Sequence, residues 1–74
     1  MPPKIRVLKA DLTRAGFTWR QGKGSHQVWF HPHFPSVEVT VSGGDGEDAR
    51  RYQLHEIRDV IDQVAKPRDQ EDKS

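Results

Sequence analysis

The sequence predicts a small α+β domain in which two helices cover one face of a three-stranded antiparallel sheet and leave the other face open. Two segments, one near each end of the chain, carry apolar residues at helical spacing, and three segments between them alternate apolar with polar residues. With 74 residues the chain is long enough for one domain only. We expect this domain over residues 1–66 and a charged, disordered tail over residues 67–74.

The first helix is predicted over residues 4–15. Its apolar residues recur three and four positions apart and form one stripe: Ile5, Leu8, Leu12 and Ala15. Pro2 and Pro3 suit the first turn of a helix, where a missing N–H costs nothing. Gly16 suits the left-handed position that ends a helix.

Three strands follow. Residues 17–21 and 25–31 are predicted to pair antiparallel, because the glycine turn between them is too short for any other connection. Residues 32–35 contain two prolines and are expected to end the second strand. In the third strand, three valines alternate with polar residues and should face the core: Val37, Val39 and Val41.

The last part of the domain contains a glycine-rich loop and a second helix. Residues 42–48 include three glycines and three acids, and we expect this loop to be mobile. The helix is predicted over residues 51–65 and ends before Pro67. Its apolar stripe contains Leu54, Ile57, Val60, Ile61 and Val64.

Composition limits the possible functions. The chain has no cysteine, which excludes disulfides and thiolate metal sites and fits a cytoplasmic location, and it has no apolar run long enough for a membrane span or a signal peptide. Residues 1–33 carry six Lys and Arg against one acid, and residues 34–74 carry six against ten. The basic half could attract a polyanion such as RNA, although a solvated helix face explains the same charges.

The segment Gly24-Ser25-His26 is the best candidate for chemistry. We predict that His26 lies at the first rung of the second strand, where the sheet holds it and solvent still reaches it. Histidine ordinarily titrates near neutrality, so it can transfer a proton at working pH, and RNA carries its own nucleophile in the 2′-hydroxyl. Ser25 could hold a phosphate oxygen or orient the imidazole, or it could serve only the turn. Other neighbours could contact the phosphate through side-chain cations or backbone N–H groups: Arg20, Gly22, Lys23 and Gly24.

Two tryptophans lie on the predicted hairpin. Trp19 shares its side of the first strand with Phe17, so we expect it in the core. Trp29 alternates with Val28 and Phe30, and only one of these two sets can face the helices. The other set would be exposed on the open face, where it could stack on bases or contact a partner protein.

The remaining histidines do not predict a metal site. His31 and His33 are two residues apart and could share one side of a strand, but no third ligand follows at a suitable spacing. His55 falls on the polar side of the second helix and is expected to face solvent. We therefore predict neither a metal nor another cofactor.

The arrangement of short motifs resembles the HicA-type toxins of bacterial toxin–antitoxin pairs. The resemblance covers residues 4–65 and is carried by Ala15-Gly16-Phe17 after the first helix, Gly24-Ser25-His26 at the hairpin, His31-Pro32, and Val39-Thr40-Val41 before the glycine-rich loop.

This resemblance implies a double-stranded-RNA-binding-domain-like fold of order α-β-β-β-α. It also implies an endoribonuclease that cleaves mRNA without a metal, for which His26 is essential, and a cognate HicB-like antitoxin protein that covers the site. The acidic loop at residues 42–48 is less suited to RNA binding than the basic turn before His26. A non-catalytic module with the same fold, binding RNA or a protein, is the alternative interpretation.

Overall fold

The structure is a computed structural model and describes residues 1–65 of the chain. Its elements follow the predicted order: α1 (Ile5–Arg14), β1 (Thr18–Gln21), β2 (Gln27–His31), β3 (Phe34–Val41) and α2 (Arg51–Ala65). The tail predicted over residues 67–74 lies outside the described residues. Within residues 1–65, neither helix is long and apolar enough to cross a membrane.

The three strands form one antiparallel sheet in the order β1-β2-β3. Both helices contribute to a single core on one face of this sheet, with α2 packed against β3 and α1 beside α2. The buried apolar residues come from the four elements other than β1 and from the segments just before β1 and α2: Ile5, Leu8, Leu12, Phe17, Trp29, Val37, Val39, Val41, Ala49, Ile57 and Val60. The predicted fold class is therefore confirmed.

The end of α1 is fixed by two backbone hydrogen bonds and one glycine. The N–H of Gly16 donates to the carbonyl of Thr13 at 3.0 Å, and the N–H of Phe17 donates to that of Leu12 at 3.0 Å. This Schellman pattern requires a left-handed residue after the helix, and Gly16 has a φ of 97°. A Cβ at Gly16 would also lie 2.7 Å from Nε2 of His31, so the site excludes side chains for a second reason.

The start of α1 differs from the prediction. The helix begins at Ile5, so Pro2 and Pro3 precede it and do not form its first turn. Lys4 is the N-cap residue, and its side chain makes no capping hydrogen bond. The carbonyl of Pro3 instead accepts the N–H of Ala49 at 2.8 Å, which joins the chain before α1 to the segment before α2.

The loop that we expected to be mobile is bonded to the start of α1. The N–H of Ile5 donates to the carbonyl of Glu47 at 2.8 Å, and the N–H of Arg6 donates to the carbonyl of Asp45 at 3.1 Å. These are N–H groups that have no partner inside a helix, so the loop serves as the missing cap. The glycine-rich composition of this loop predicted flexibility. The sequence does not reveal the tertiary hydrogen bonds that attach the loop to α1.

The acidic side chains of this loop also contact α1. Asp48 pairs with Lys4 and Asp45 pairs with Lys9, each at 2.7 Å between nitrogen and oxygen. Negative charge at the N-terminal end of a helix is favourable because the helix dipole is positive there. Attachment to α1 therefore accounts for two of the three acids in residues 42–48, Asp45 and Asp48.

Gln53 fixes the start of α2 and is a buried residue that the apolar pattern does not identify. It is 5% exposed, its Oε1 accepts the N–H of Arg50 at 3.0 Å, and its Nε2 donates to the carbonyl of Ser42 at 3.1 Å. The first bond is the returning half of a capping box. The predicted bounds of the helix, residues 51–65, are confirmed.

The third strand begins earlier than predicted. β3 starts at Phe34, directly after a tight turn at Pro32 and His33, so Pro35 does not interrupt it. The pairing with β2 shifts at this point and leaves residues 35–37 without partners in the ladder. Pro35 is tolerated because no ladder bond needs its missing N–H.

The pairing of the strands determines which face of the sheet each tryptophan occupies. Trp29 is 3% exposed and pairs with Val39 on the helix side, so Val28 and Phe30 lie on the open face. Trp19 stands opposite Trp29 on the same face, with the ring centroids 6.2 Å apart. It is nevertheless 44% exposed, because β1 is the edge strand farther from β3, and α2 packs mainly against β3. The prediction that Trp19 lies in the core is therefore wrong.

Candidate active site

The hairpin turn that carries the candidate histidine has a defined backbone. The N–H of His26 donates to the carbonyl of Lys23 at 2.9 Å, which closes a four-residue turn. Gly24, its first central residue, has a φ of 58°, and Ser25 has no positive φ. This combination is that of a type II′ turn, in which glycine is favoured at the first central position.

A second backbone hydrogen bond joins the two arms of the hairpin next to the turn. The N–H of Gly22 donates to the carbonyl of His26 at 2.9 Å. β2 begins at Gln27, so His26 lies just before the strand and not at its first rung as predicted. Its backbone is still held on both sides, by the bond from Gly22 and the bond to Lys23.

The side chain of His26 is exposed and borders the open face of the sheet. A Cβ placed at Gly22 would lie 3.5 Å from Cβ of His26 and 3.4 Å from Cγ2 of Val28, so these two side chains lie on the same side of the hairpin. No group within residues 1–65 bonds to the imidazole. A rigidly attached imidazole is therefore free to meet a ligand from the open face.

Three successive backbone N–H groups at the tip of the turn have no hydrogen-bond partner within residues 1–65. They belong to Lys23, Gly24 and Ser25. Unpaired N–H groups in a glycine turn favour the binding of an anion. The expectation that Gly22 contributes its N–H is wrong, because the carbonyl of His26 already accepts it.

The basic residues of the first half differ in how far their charge is balanced. Lys23 is exposed and forms no ion pair in the described part of the chain. Arg20 lies on the open face, where its guanidinium is 5.5 Å from the ring centroid of Phe30 and 3.7 Å from a carboxylate oxygen of Glu38. Exposed pairs of this kind are weak, so Arg20 is oriented without being neutralised.

Three of the other four basic residues of this half are bound to acids, whereas Arg6 is exposed and forms no ion pair within residues 1–65. Besides the two lysines that contact the loop, Arg14 pairs with Asp11 at 2.7 Å. The net charge of residues 1–33 therefore overstates the positive field of the first half. The unpaired ammonium of Lys23 lies on the same turn as the exposed imidazole of His26, so a polyanion attracted there would meet the candidate histidine.

Trp29 does not reach the open face, which overturns the hypothesis that its ring stacks on a base. Its indole N–H donates to Oε1 of Gln27 at 3.3 Å, and the ring is buried. Val28 and Phe30 are half-buried on the open face and provide the apolar surface instead. The strict alternation of valines in β3 could have predicted the faces of Val28, Trp29 and Phe30. Once β2 and β3 are paired, the side of β3 that carries the valines determines which side of β2 faces the core.

The pair His31 and His33 serves the structure. The N–H of His33 donates to Nδ1 of His31 at 3.1 Å, and the His31 ring lies edge-on to Phe17 and Phe34, with centroids 5.2 and 5.0 Å away. Within residues 1–65 there is no group of three or more histidines and carboxylates that could hold a metal ion.

Sequence comparison identifies one family. The family model described as "HicA toxin of bacterial toxin-antitoxin" matches residues 5–64, from the first residue of α1 to the last turn of α2. The His26 turn and all five elements, apart from the last residue of α2, fall inside the match. No curated protein and no solved structure matches the chain.

Proposed function

This chain belongs to the HicA toxin family of bacterial toxin–antitoxin systems, and we propose that it is a metal-independent endoribonuclease that cleaves mRNA. The observation that carries this proposal is the turn at residues 22–26. On one short, hydrogen-bonded segment it combines an exposed imidazole with three N–H groups and an ammonium that have no partner among the described residues.

The proposed reaction uses the nucleophile of the substrate. The ribose 2′-oxygen attacks phosphorus and forms a new P–O bond, the bond to the 5′-oxygen breaks, and the products are a 2′,3′-cyclic phosphate and a 5′-hydroxyl. One proton must leave the 2′-hydroxyl and one must reach the 5′-oxygen. His26 supplies one of these transfers, as base or as acid.

The turn would bind the reacting phosphate. Negative charge grows on the phosphate oxygens in the transition state, and the N–H groups of Lys23, Gly24 and Ser25 with the Lys23 ammonium would stabilise it. The Ser25 hydroxyl could donate a further hydrogen bond. A side chain at Gly22 would crowd His26, since a Cβ there would lie 3.3 Å from its carbonyl oxygen and 3.5 Å from its Cβ.

The open face would extend the RNA site. Arg20 lies beside the half-buried apolar pair Val28 and Phe30 on this face, so it could contact a neighbouring phosphate while a base packs on the apolar surface. We propose that a HicB-like antitoxin neutralises the toxin by covering the same turn and face. An mRNA substrate would place the activity in the cytoplasm.

Expression of the chain alone in a bacterium tests the proposal. We expect growth to stop, and we expect His26→Ala to relieve the arrest, while the matched control His55→Ala, an exposed histidine on α2, still arrests growth. Co-expression of the antitoxin encoded beside the gene should restore growth. Equal arrest by the His26→Ala protein at equal abundance would contradict the role of His26.

Purified protein tests the independence from metals. Cleavage of an mRNA transcript should be unchanged by excess EDTA, because neither the nucleophile nor the proposed phosphate contacts need a cation. Loss of cleavage in EDTA and its return with Mg²⁺ would contradict the metal-free mechanism.

A binding module is the second candidate, and the half-buried Val28 and Phe30 on the open face favour it. Such a protein would bind RNA with equal affinity before and after His26→Ala, and neither form would cleave it. That pair of results would replace the ribonuclease proposal.

A further inference from the structure

We infer that Gln21 is a positioning residue, which holds the turn of residues 22–26 in the shape that presents His26. The inference about the turn rests on contacts within the hairpin. Its consequence for catalysis rests on the proposed ribonuclease function.

The side chain of Gln21 reaches into the turn from the end of β1. Its Nε2 donates to the carbonyl oxygen of Gly24 at 2.8 Å and lies 3.3 Å from that of Gly22 and 3.4 Å from that of His26. The shortest bond is to the residue with the left-handed backbone, and the other two contacts reach the residues where the turn begins and ends. One amide group therefore bridges the whole turn.

The orientation of the amide follows from its partners. Carbonyl oxygens only accept hydrogen bonds, so the atom facing three of them must be the nitrogen. The two N–H bonds of the amide can serve two carbonyls well and the third only weakly. With these carbonyls drawn toward Gln21, and with the N–H groups of Gly22 and His26 also bonded, the N–H groups left over are those of Lys23, Gly24 and Ser25.

The hydrogen bonds from Gln21, which we call the Gln21 clamp, are needed because the turn is exposed to solvent. The turn is exposed apart from the partly buried Gly22, and its glycines give it a large entropy in the absence of bonds. Within residues 1–65 the core cluster includes no residue of this turn, so its shape depends mainly on hydrogen bonds. Loss of the Gln21 bonds would free the carbonyl of Gly24 and let His26 move relative to the phosphate contacts. Misplacement of a reacting group by about 1 Å can lower a rate by about 100-fold.

The chain offers a matched control across the hairpin. Gln27 is the register partner of Gln21, and its side chain lies on the same face of the sheet. Its Oε1 accepts from the indole of Trp29, so its role needs an oxygen and not an N–H group. A change to glutamate adds the same charge at both positions, but it removes the required donor only at Gln21.

We expect Gln21→Glu to lower kcat for RNA cleavage by about tenfold or more, with a smaller rise in KM, because a positioning role acts mainly on the transition state. Gln27→Glu should keep kcat within about twofold. Thermal unfolding should give similar midpoints for the two variants, and Gln21→Ala should reproduce the loss in kcat without the added charge.

Amide hydrogen exchange followed by NMR tests the clamp without any use of RNA. The amide protons of Gly22 and His26 should exchange about tenfold faster in Gln21→Glu than in the parent protein and should be unchanged in Gln27→Glu. Unchanged exchange, or equal kcat values in the two glutamate variants, would overturn the role of Gln21. If the parent protein cleaves no RNA but the exchange result holds, the clamp stands and the ribonuclease proposal fails.

Discussion

Two glycine-rich segments of this chain carry charge, and the structure uses them in opposite ways. The turn at residues 22–26 closes the first hairpin, bonds to itself and to Gln21, and leaves its ammonium, its imidazole and three N–H groups without a partner in residues 1–65. The loop at residues 42–48 bonds to the start of α1 through backbone carbonyls and two ion pairs. Charge that is engaged in tertiary bonds stabilises the fold, and charge that remains unpaired is available to a ligand.

The comparison predicts that the same kind of substitution will have different effects in the two segments. Changes in the turn should alter cleavage and leave stability nearly unchanged. Changes in the loop should alter stability and leave the activity of the folded protein unchanged.

Charge reversal should give the largest difference in effect between the turn and the loop. We expect Lys23→Glu to lower kcat/KM by about 10- to 100-fold, since it places a carboxylate beside the incoming phosphate. Lys9→Glu changes the net charge equally but faces Asp45, so it should lower the melting temperature and leave kcat/KM of the folded protein unchanged. Equal losses of activity in the two variants would show that only the total charge matters.

A methyl group added to the loop gives the next largest effect. Gly43 has a φ of 104°, and a Cβ there would lie 3.0 Å from Oε1 of Glu47. We expect Gly43→Ala to reduce the free energy of unfolding by about 1–2 kcal/mol in urea denaturation.

The matched control for this change is Gly46→Ala, at which a Cβ would meet nothing within 4 Å and the φ is not positive. Its stability should equal or slightly exceed that of the parent protein. A loop that is mobile in solution would tolerate both substitutions equally, and that result would break the contrast between the two segments.

The ion pairs of the loop should give the smallest effect. Asp45→Asn removes the partner of Lys9 while keeping the backbone carbonyl that accepts from Arg6. Since the carboxylate is largely exposed, we expect a loss of about 0.5 kcal/mol in unfolding free energy, and less at high salt. Glu56→Gln on α2 serves as the control, and a loss of the same size there would argue against a specific contribution from the loop.

Local patterns in the sequence were sufficient for the elements whose structure depends on nearby residues. The bounds of α2 and the left-handed Gly16 were predicted correctly because helical spacing and the helix-ending glycine are short-range signals. The start of β3 was missed because Pro35 reads as a strand breaker. It is accommodated only through a shift in pairing with β2, which no local pattern reveals.

The candidate site was predicted only in part, because some of its features are local and others depend on how the strands pair. The exposed His26 at a glycine turn followed from the motif, whereas the bond that occupies the N–H of Gly22 depends on how the hairpin closes. The positions of Trp29 and Gln21 depend on strand register, which sets the sheet face of one and the turn contacts of the other. Periodicity left the face of Trp29 undecided, and no local pattern indicated the contacts of Gln21.

We propose that the chemistry resides in the imidazole of His26, which is held by a turn that contributes little to stability. The direct test is the rate at which purified His26→Ala cleaves an mRNA transcript, measured beside His55→Ala and with the melting temperature of each. We predict that cleavage by His26→Ala falls by about 100-fold or more at an unchanged melting temperature, while His55→Ala matches the parent protein. A folded His26→Ala protein that cleaves as fast as its parent would contradict this account.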